Sequence, residues 1–377
     1  MTAVAKVAVV GAGVVGLAAA IQLAKAGVEV DIYERKAELS ARGSGISLQG
    51  NALRVFDALG AWEDLRAAGY PYEGLTLRAP GPGAVRVAEL PEVKTGGPDY
   101  PAGMGMARAD LTRILFEHAT RAGARAHFGA EVTALRHVDD SVTLEVGGDV
   151  PGTYDLVIGA DGLNSTVRAL IGIETRPEPT GMGAWRAFVS RPDEVVHTEL
   201  YYRGSVYIAG YTPTGENTMY ALLVGAAADR FGLTDEEGAQ IMINESRAYE
   251  GPWNAVRADL QSGSPTNYTW FTKHLVPAPW NRGRTVVIGD AAHSCPPTIA
   301  QGAAQGLEDA FVLTELLIQS EHLDQALWDD FHARRLPRAQ AVVAASVQLG
   351  QWQIDGDQDA DAGGLIFGLA HRMAEPA

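Results

Sequence analysis

Hydrophobic residues fall along this chain in three patterns, each predicting a different kind of element. The first is a short unbroken apolar run that ends in a turn signal. Lys6–Val10 (KVAVV), residues 154–160 (YDLVIGA) and 285–289 (TVVIG) read this way, as strands buried on both faces of a parallel sheet. The second is helical spacing. Residues 17–26 are strong helix formers closed by Gly27, 51–69 set Leu53, Phe56, Leu59 and Leu65 on one stripe, and 108–121 and 301–319 keep the same period. The third is the run of short strands with turns, over 126–150, 198–211 and 218–225. Residues 71–101 are rich in Gly and Pro and predict hairpins and loops.

The first two patterns meet at the start of the chain. Strand 6–10 runs directly into Gly11-Ala12-Gly13-Val14-Val15-Gly16, then the helix, then a second strand, 28–33 (VEVDIY), closing on Glu34. This is the strand, GxGxxG, helix, strand and acid order of a dinucleotide fingerprint. Gly11 permits the tight turn, Gly13 lets backbone approach a pyrophosphate, and Gly16 lets helix and strand pack closely. The helix N-terminus offers free N–H groups to the phosphates, and Glu34 stands where it can accept from ribose hydroxyls. The uncharged run from Val7 to Ile21 behind Lys6 also resembles the apolar core of an export leader. It stops at Gln22 and Lys25, short of a membrane span, and three glycines in six residues make a poor apolar helix. The fingerprint leaves NAD and FAD both open.

Composition narrows the classes. The chain has 377 residues with 30 basic and 46 acidic side chains, a net charge of −16, which argues against nucleic-acid or anionic-membrane partners. The single cysteine, Cys295, excludes a disulfide framework or a cysteine metal cluster and suits a reducing cytoplasm. Residues 355–364 (DGDQDADAGG) faintly resemble a calcium loop but lack its sixth-position Gly and twelfth-position Glu, so they read as solvated loop and no metal is expected.

Two further segments join the fingerprint: IGADGLNSTVR at 158–168 and IGDAAHSCPPTIAQGAAQGLEDA at 288–310. With GAGVVG and Glu34-Arg35 these resemble, in order and over nearly the whole chain, the group A FAD-dependent aromatic hydroxylases of the para-hydroxybenzoate hydroxylase type. The resemblance implies an α/β fold: a Rossmann-like FAD-binding domain, an antiparallel β-sheet substrate layer and C-terminal helices. It implies FAD contacts from Gly11, Gly13, Val15, Gly16, Glu34, Arg35, Arg42, Arg108, Asp161, Gly162, Arg168, Asp290, Pro297, Gln301, Gly302 and Ala303. Asp290 would hold the ribityl chain, and the helix from Gln301 would aim its positive end at the flavin's pyrimidine edge. The family commonly has Gly where this chain has Ala300 and Asn where it has Ala304. His293 and Cys295 read as structural.

The expected domains are a discontinuous FAD-binding unit (1–72, 102–178 and 276–350), a substrate-binding sheet (73–101 and 179–275) and a C-terminal tail (351–377). Residues 181–275 hold 13 of the 28 aromatics, mostly as sheet core. A few of them would line a pocket for a flat ring. Tyr211 is the first candidate, as catalytic and substrate residue, joined by Ser47 in both roles. Gln49, Trp185, Arg186 and Pro297 complete the expected substrate contacts, with Arg186 as anchor for a carboxylate or carbonyl.

The implied activity is monooxygenation of an electron-rich aromatic or heteroaromatic ring, phenol or hydroxypyridine-like. NADH or NADPH would reduce the flavin, and O2 would give a C4a-hydroperoxide. No second GxGxxG is present, so the donor is expected to bind transiently. The rivals are a reductase or halogenase of the same fold, although no WxWxIP string is present, and a flavin-binding partner protein without turnover. Monomer and homodimer both remain open.

Overall fold

The computed structural model describes residues 2–39 and 45–377. Its central sheet has six strands in the order Asn281–Arg282, Thr285–Val287, Leu156–Gly159, Lys6–Val10, Glu29–Glu34 and Arg125–Phe128. All neighbours are parallel except the Asn281–Arg282 hairpin strand. The three predicted apolar strands therefore lie side by side, with Val10 opposite Gly159 and Gly159 opposite Val287. Each is followed at once by its glycine turn, so this register delivers all three turns to one sheet edge. Crevices at the carboxyl ends of parallel strands are where such folds bind ligands. Helix Val14–Lys25 packs between helices Arg108–Arg121 and Gly302–Gln319.

An eight-stranded sheet, mostly antiparallel, takes five strands from 178–275 and adds the hairpin Gly74–Arg78 and Arg86–Pro91 at one end and His293–Ser294 at the other. One face is covered by helices Asp235–Glu245 and Trp253–Gln261, which pack Met242 and Trp253 on Trp185, Tyr201 and Tyr211. The other face carries Ala184, Val224 and Phe271 and looks toward strand Gly45–Gln49, whose Ser47 reaches Tyr220.

Two expectations change. Residues 51–69 form two helices, Gly50–Ala58 and Trp62–Ala68, because the backbone turns left-handed at Gly60 (φ 68°). Residues 351–377 are no loose tail. Helix Gln325–Asp355 runs into them, and after an exposed polar loop helix Ala362–Ala374 folds back, burying Leu369 and Met373 against Val342 and Ala345. The spacing Leu365, Leu369, Met373 carries that helix, and the aspartate-rich stretch before it hid the signal. Among the described residues no helix is long and apolar enough to cross a membrane, and no group of His, Cys, Asp and Glu could hold a metal ion.

Candidate active site

The first turn is built as its glycines require. Gly11 has φ 107°, and a β-carbon there would stand 2.5 Å from the Ala160 carbonyl oxygen. At Gly16 a β-carbon would lie 2.1 Å from the Gly11 carbonyl oxygen, so only glycine lets the helix approach this closely. Gly13 caps the helix with no side-chain hydrogen bond and no acid in the first turn, and nothing lies within 4 Å of where its β-carbon would be. That combination leaves a helix N-terminus with open space before it, which suits a pyrophosphate. Glu34 is pinned beside the turn: it accepts from Ala12 N–H and Lys36 N–H, both at 3.0 Å. Arg35 is exposed beside it, and Arg42 lies outside the described residues.

Val15 locks the first turn to the third. Its Cγ2 would stand 2.6 Å from a β-carbon at Gly306 and 3.1 Å from one at Gly289. Asp290, at the end of the Thr285–Val287 strand segment, opens onto the cleft. The surrounding protein pushes its carboxyl pKa up, and Arg108 and His293 pull the other way. Helix Gly302–Gln319 begins without a side-chain cap or a first-turn acid, and Gly302 again faces open space. Two bare helix N-termini and an acid at one sheet edge fit the pyrophosphate, pyrimidine edge and ribityl chain of FAD. Ala303 follows in that first turn, half-buried, and Pro297 is exposed in the short 3-10 turn ahead of it. Ala300 sits left-handed at φ 53°, a conformation that disfavours side chains, which accounts for glycine being usual there.

The second segment works mainly as internal scaffolding. Asp161 accepts from Ser165 Oγ (2.5 Å) and Val167 N–H (2.9 Å), and Gly162 makes the turn at φ 79°. Arg168 is buried and donates to the Ala291 (2.9 Å) and Leu163 (3.0 Å) carbonyls, tying this turn to the Asp290 turn. Burial pushes the Cys295 thiol up to about 11, so it is protonated at neutral pH and is no nucleophile.

Beneath the Gly302 helix lies a polar network invisible to motif reading. Glu308 accepts from Arg335 Nη1 (2.8 Å), Arg338 Nη2 (2.9 Å) and Asn51 Nδ2 (2.9 Å). Asp309 accepts from Arg335 Nε (2.8 Å), His293 Nε2 (2.7 Å) and Gly289 N–H (2.9 Å). Gln301 faces inward and exchanges hydrogen bonds with the Asn51 amide at 3.1 and 3.2 Å. Its expected flavin contact is thus left to its backbone. The available signal was two adjacent acids in a largely apolar stretch of the helix, since buried charges need partners.

On the substrate side, strand parity separates residues that the sequence had grouped. Arg186 pairs with Leu222 and Phe188 with Tyr220, whereas Trp185 pairs with Leu223 and Tyr211 with Ala221. Arg186 and Tyr220 therefore share the face toward Ser47, while Trp185 and Tyr211 point into the helix-covered core. Tyr211 is fully buried; its hydroxyl donates to Glu199, which Arg78 grips at 2.5 and 3.2 Å. Burial, with Tyr201 and Glu199 nearby, raises the Tyr211 pKa so far that it cannot serve as a base. The expectation of Tyr211 and Trp185 as substrate residues is corrected on this geometry. Tyr211→Phe is expected to leave FAD retention and turnover within a small factor. It should lower stability by about 1–3 kcal/mol, because Glu199 loses a buried donor. Denaturant unfolding alongside steady-state kinetics checks both halves.

The face toward the cleft carries a different set. Tyr220 lies flat on Gly45 and its hydroxyl meets Ser47 Oγ at 3.0 Å. Tyr72, buried against Gly103, brings its hydroxyl near Ser47 and Thr198. Gln49 shares the Ser47 side of its strand by alternation. Arg186 donates to Thr269 Oγ1 (2.6 Å) and lies 5.7 Å from the Phe271 ring centre. Burial lowers its pKa, Tyr220 opposes that, and Arg108 adds to it. Tyr220 was missed because both cleft and core faces of this sheet are aromatic, and Tyr72 because it lies on strand Tyr70–Tyr72 of a separate three-stranded sheet, at the start of a stretch that reads as hairpins and loops.

The chain's likeness to known proteins agrees with this geometry. A family model described as "FAD binding domain" matches residues 4–346. The chain is 31% identical over 346 residues to 3-amino-4-hydroxybenzoate 2-monooxygenase of Streptomyces cremeus, covering 89% of this chain and 84% of that one. It is 30% identical over 352 residues to 6-hydroxynicotinate 3-monooxygenase of Bordetella bronchiseptica, covering 89% and 90%. The solved structure of 2-methyl-3-hydroxypyridine-5-carboxylic acid oxygenase superposes with a TM-score of 0.80 at 26% identity, covering 98% of this chain and 95% of that one. The cradle of open helix N-termini and the match along nearly its whole length place this chain in the family of FAD-dependent aromatic monooxygenases.

Proposed function

We propose that this enzyme hydroxylates a phenol or hydroxypyridine-like small molecule that carries an anionic or carbonyl group. The observation that carries the reading is the half-buried Arg186 guanidinium on the same sheet face as Tyr220, whose hydroxyl meets Ser47. When bound, FAD supplies the two-electron chemistry, with NADH or NADPH as donor and O2 as oxygen source, by which one oxygen atom reaches the ring. Arg186 anchors the anionic end of the substrate by a charge-assisted hydrogen bond. The Ser47, Tyr72 and Tyr220 hydroxyls orient the ring's polar edge, while Ala184, Leu222 and Phe271 supply an apolar wall that excludes water. The nicotinamide donor binds transiently, and the dependence on it together with a lone free cysteine suits a reducing cytoplasm.

The reading is tested by following NADH and NADPH oxidation with a panel of phenols and hydroxypyridines, with and without a carboxylate. Arg186→Met is expected to raise KM for the carboxylated rings by roughly 10–100-fold and to change the uncharged ones far less. If no ring stimulates oxidation or gains oxygen while FAD stays bound, the chain is a flavin-binding partner protein without turnover.

A further inference from the structure

One acid beside the ring site has no role in the chemistry above. Glu92 follows strand Arg86–Pro91, and its Oε2 is sealed from solvent with no hydrogen-bond partner among the described residues. The neighbouring Lys94 is engaged elsewhere, pairing with exposed Glu73 at 3.3 Å. The Glu92 charge is felt at the Tyr72 hydroxyl, which itself lies near Ser47 and Thr198, and Ser47 meets Tyr220 at 3.0 Å. Tyr72 is held by Gly103, where a β-carbon would strike its ring at 2.7 Å. The pairing of Pro91 with Gly74 sets Glu92 beside the Tyr72 end of the neighbouring segment, and its charge bears on the hydroxyl that adjoins the groups orienting the ring. An unpartnered buried carboxylate is costly, and a native fold that keeps one calls for a role.

We propose that Glu92 is the residue that receives the hydroxyl proton of the aromatic substrate. This rests on the ring-site reading above and adds the second pole of that site, an acid for the ring's donor edge opposite Arg186 for its anionic end. In the step, the substrate O–H bond breaks and its proton passes to the Tyr72 hydroxyl as Tyr72 gives its own proton to Glu92 Oε2, while the electron pair stays on the ring oxygen. Its delocalisation enriches the ring carbons that must attack an electrophilic oxygen. Burial pushes the Glu92 carboxyl up to about 7, which suits a base working near neutrality. Tyr72 is the titratable group on which its charge bears, and the Lys94–Glu73 pair lies along its own segment.

The test uses the FAD-loaded enzyme and two matched probe pairs, 3-hydroxypyridine with 3-methoxypyridine and phenol with anisole. Binding is read from the change in flavin absorbance. The wild-type enzyme is expected to prefer the hydroxyl member by about tenfold or more, and the preference should grow between about pH 6 and pH 8 as Glu92 ionises. Glu92→Gln should cut the preference to about twofold and flatten its pH dependence, with FAD retained and methoxy binding unchanged; Glu92→Asp should restore part of it. A full, pH-dependent preference in Glu92→Gln overturns this role alone. Failure of every ring to perturb the flavin overturns the ring-site reading itself. Should Glu92→Gln not fold, a flat wild-type preference across the same pH range overturns the proposal.

A ligand-free measurement bears on the same carboxyl. Its folded pKa is raised, so its contribution to stability is present below the unfolded value and lost as pH rises through the folded one. Glu92→Gln should therefore raise Tm at about pH 8 and not at about pH 5. An equal Tm difference at both pH values removes the premise of an unpartnered carboxyl.

Discussion

Arg335→Leu is expected to cost about 3–5 kcal/mol of folding stability, the range for stripping one partner from a buried ion network. Arg335 is fully buried and its guanidinium bridges Glu308 and Asp309, each at 2.8 Å, while also reaching Gln305. Both carboxylates are nearly inaccessible to water. Without the bridge, two adjacent negative charges remain in the interior, with Arg338 beside one and His293 beside the other. Because these acids sit on the helix whose N-terminus faces the cleft, FAD retention should fall along with stability. Burial pushes both carboxyls up, but their cationic partners prevail and hold both pKa values below the usual carboxylate range. Their contribution is thus present above the unfolded pKa and lost as pH falls through the folded one, so the wild-type advantage over Arg335→Leu should shrink in acid. Urea titration over a pH series measures this, and a loss below about 1 kcal/mol at neutral pH would show that the network is dispensable.

Gly16→Ala should abolish useful FAD binding. The added β-carbon meets backbone, the Gly11 carbonyl oxygen at 2.1 Å, and is further hemmed by Val9 Cγ1 at 3.2 Å and Ala160 Cβ at 3.3 Å. No rotamer relieves a clash with backbone, so helix Val14–Lys25 must move off the sheet by about an ångström. Displacement on that scale costs roughly 100-fold where geometry is demanding, and here it shifts the N–H groups that face the pyrophosphate. Gly13→Ala separates the two roles of this turn. Its β-carbon meets nothing within 4 Å and its backbone is ordinary (φ −82°), so stability should hold while bound FAD is lost to steric conflict with the phosphates. Equilibrium dialysis of flavin and Tm for both variants make the comparison. Retention of FAD by Gly13→Ala would show that the pyrophosphate does not pass there.

What was legible in the sequence follows from where the information lies. The three glycine turns could be read because each is local, a strand running straight into its turn, with Asp161 and Asp290 at once in the second and third and Glu34 at the end of the next strand for the first. Their convergence followed from the parallel register that buried apolar strands require. The substrate face was not legible. Tyr211 and Tyr220 sit in similar aromatic strands, and only the pairing of Tyr211 with Ala221 and of Tyr220 with Phe188 sends them to opposite sides. In a sheet buried on both faces, alternation says that two faces exist and not which one meets the cofactor. Glu308 and Arg335 lie far apart in sequence, and nothing local ties an acid on one helix to a cation on the next. The C-terminal helix was missed for a simpler reason: its apolar stripe follows a run of aspartates that reads as solvent-exposed, and that run is indeed exposed.

The strand order of the central sheet also governs when this enzyme can come into being. Lys6–Val10 leaves the ribosome well before its neighbour Leu156–Gly159, and Thr285–Val287 beyond that comes later still. At roughly 5–20 residues per second, the nascent chain waits tens of seconds with its nucleotide turn made and its sheet unclosed. Val15 cannot find Gly289 and Gly306 until translation has passed both. The FAD cradle is therefore complete only once Gly306 has been made, and until then the waiting strand edge is open to mispairing.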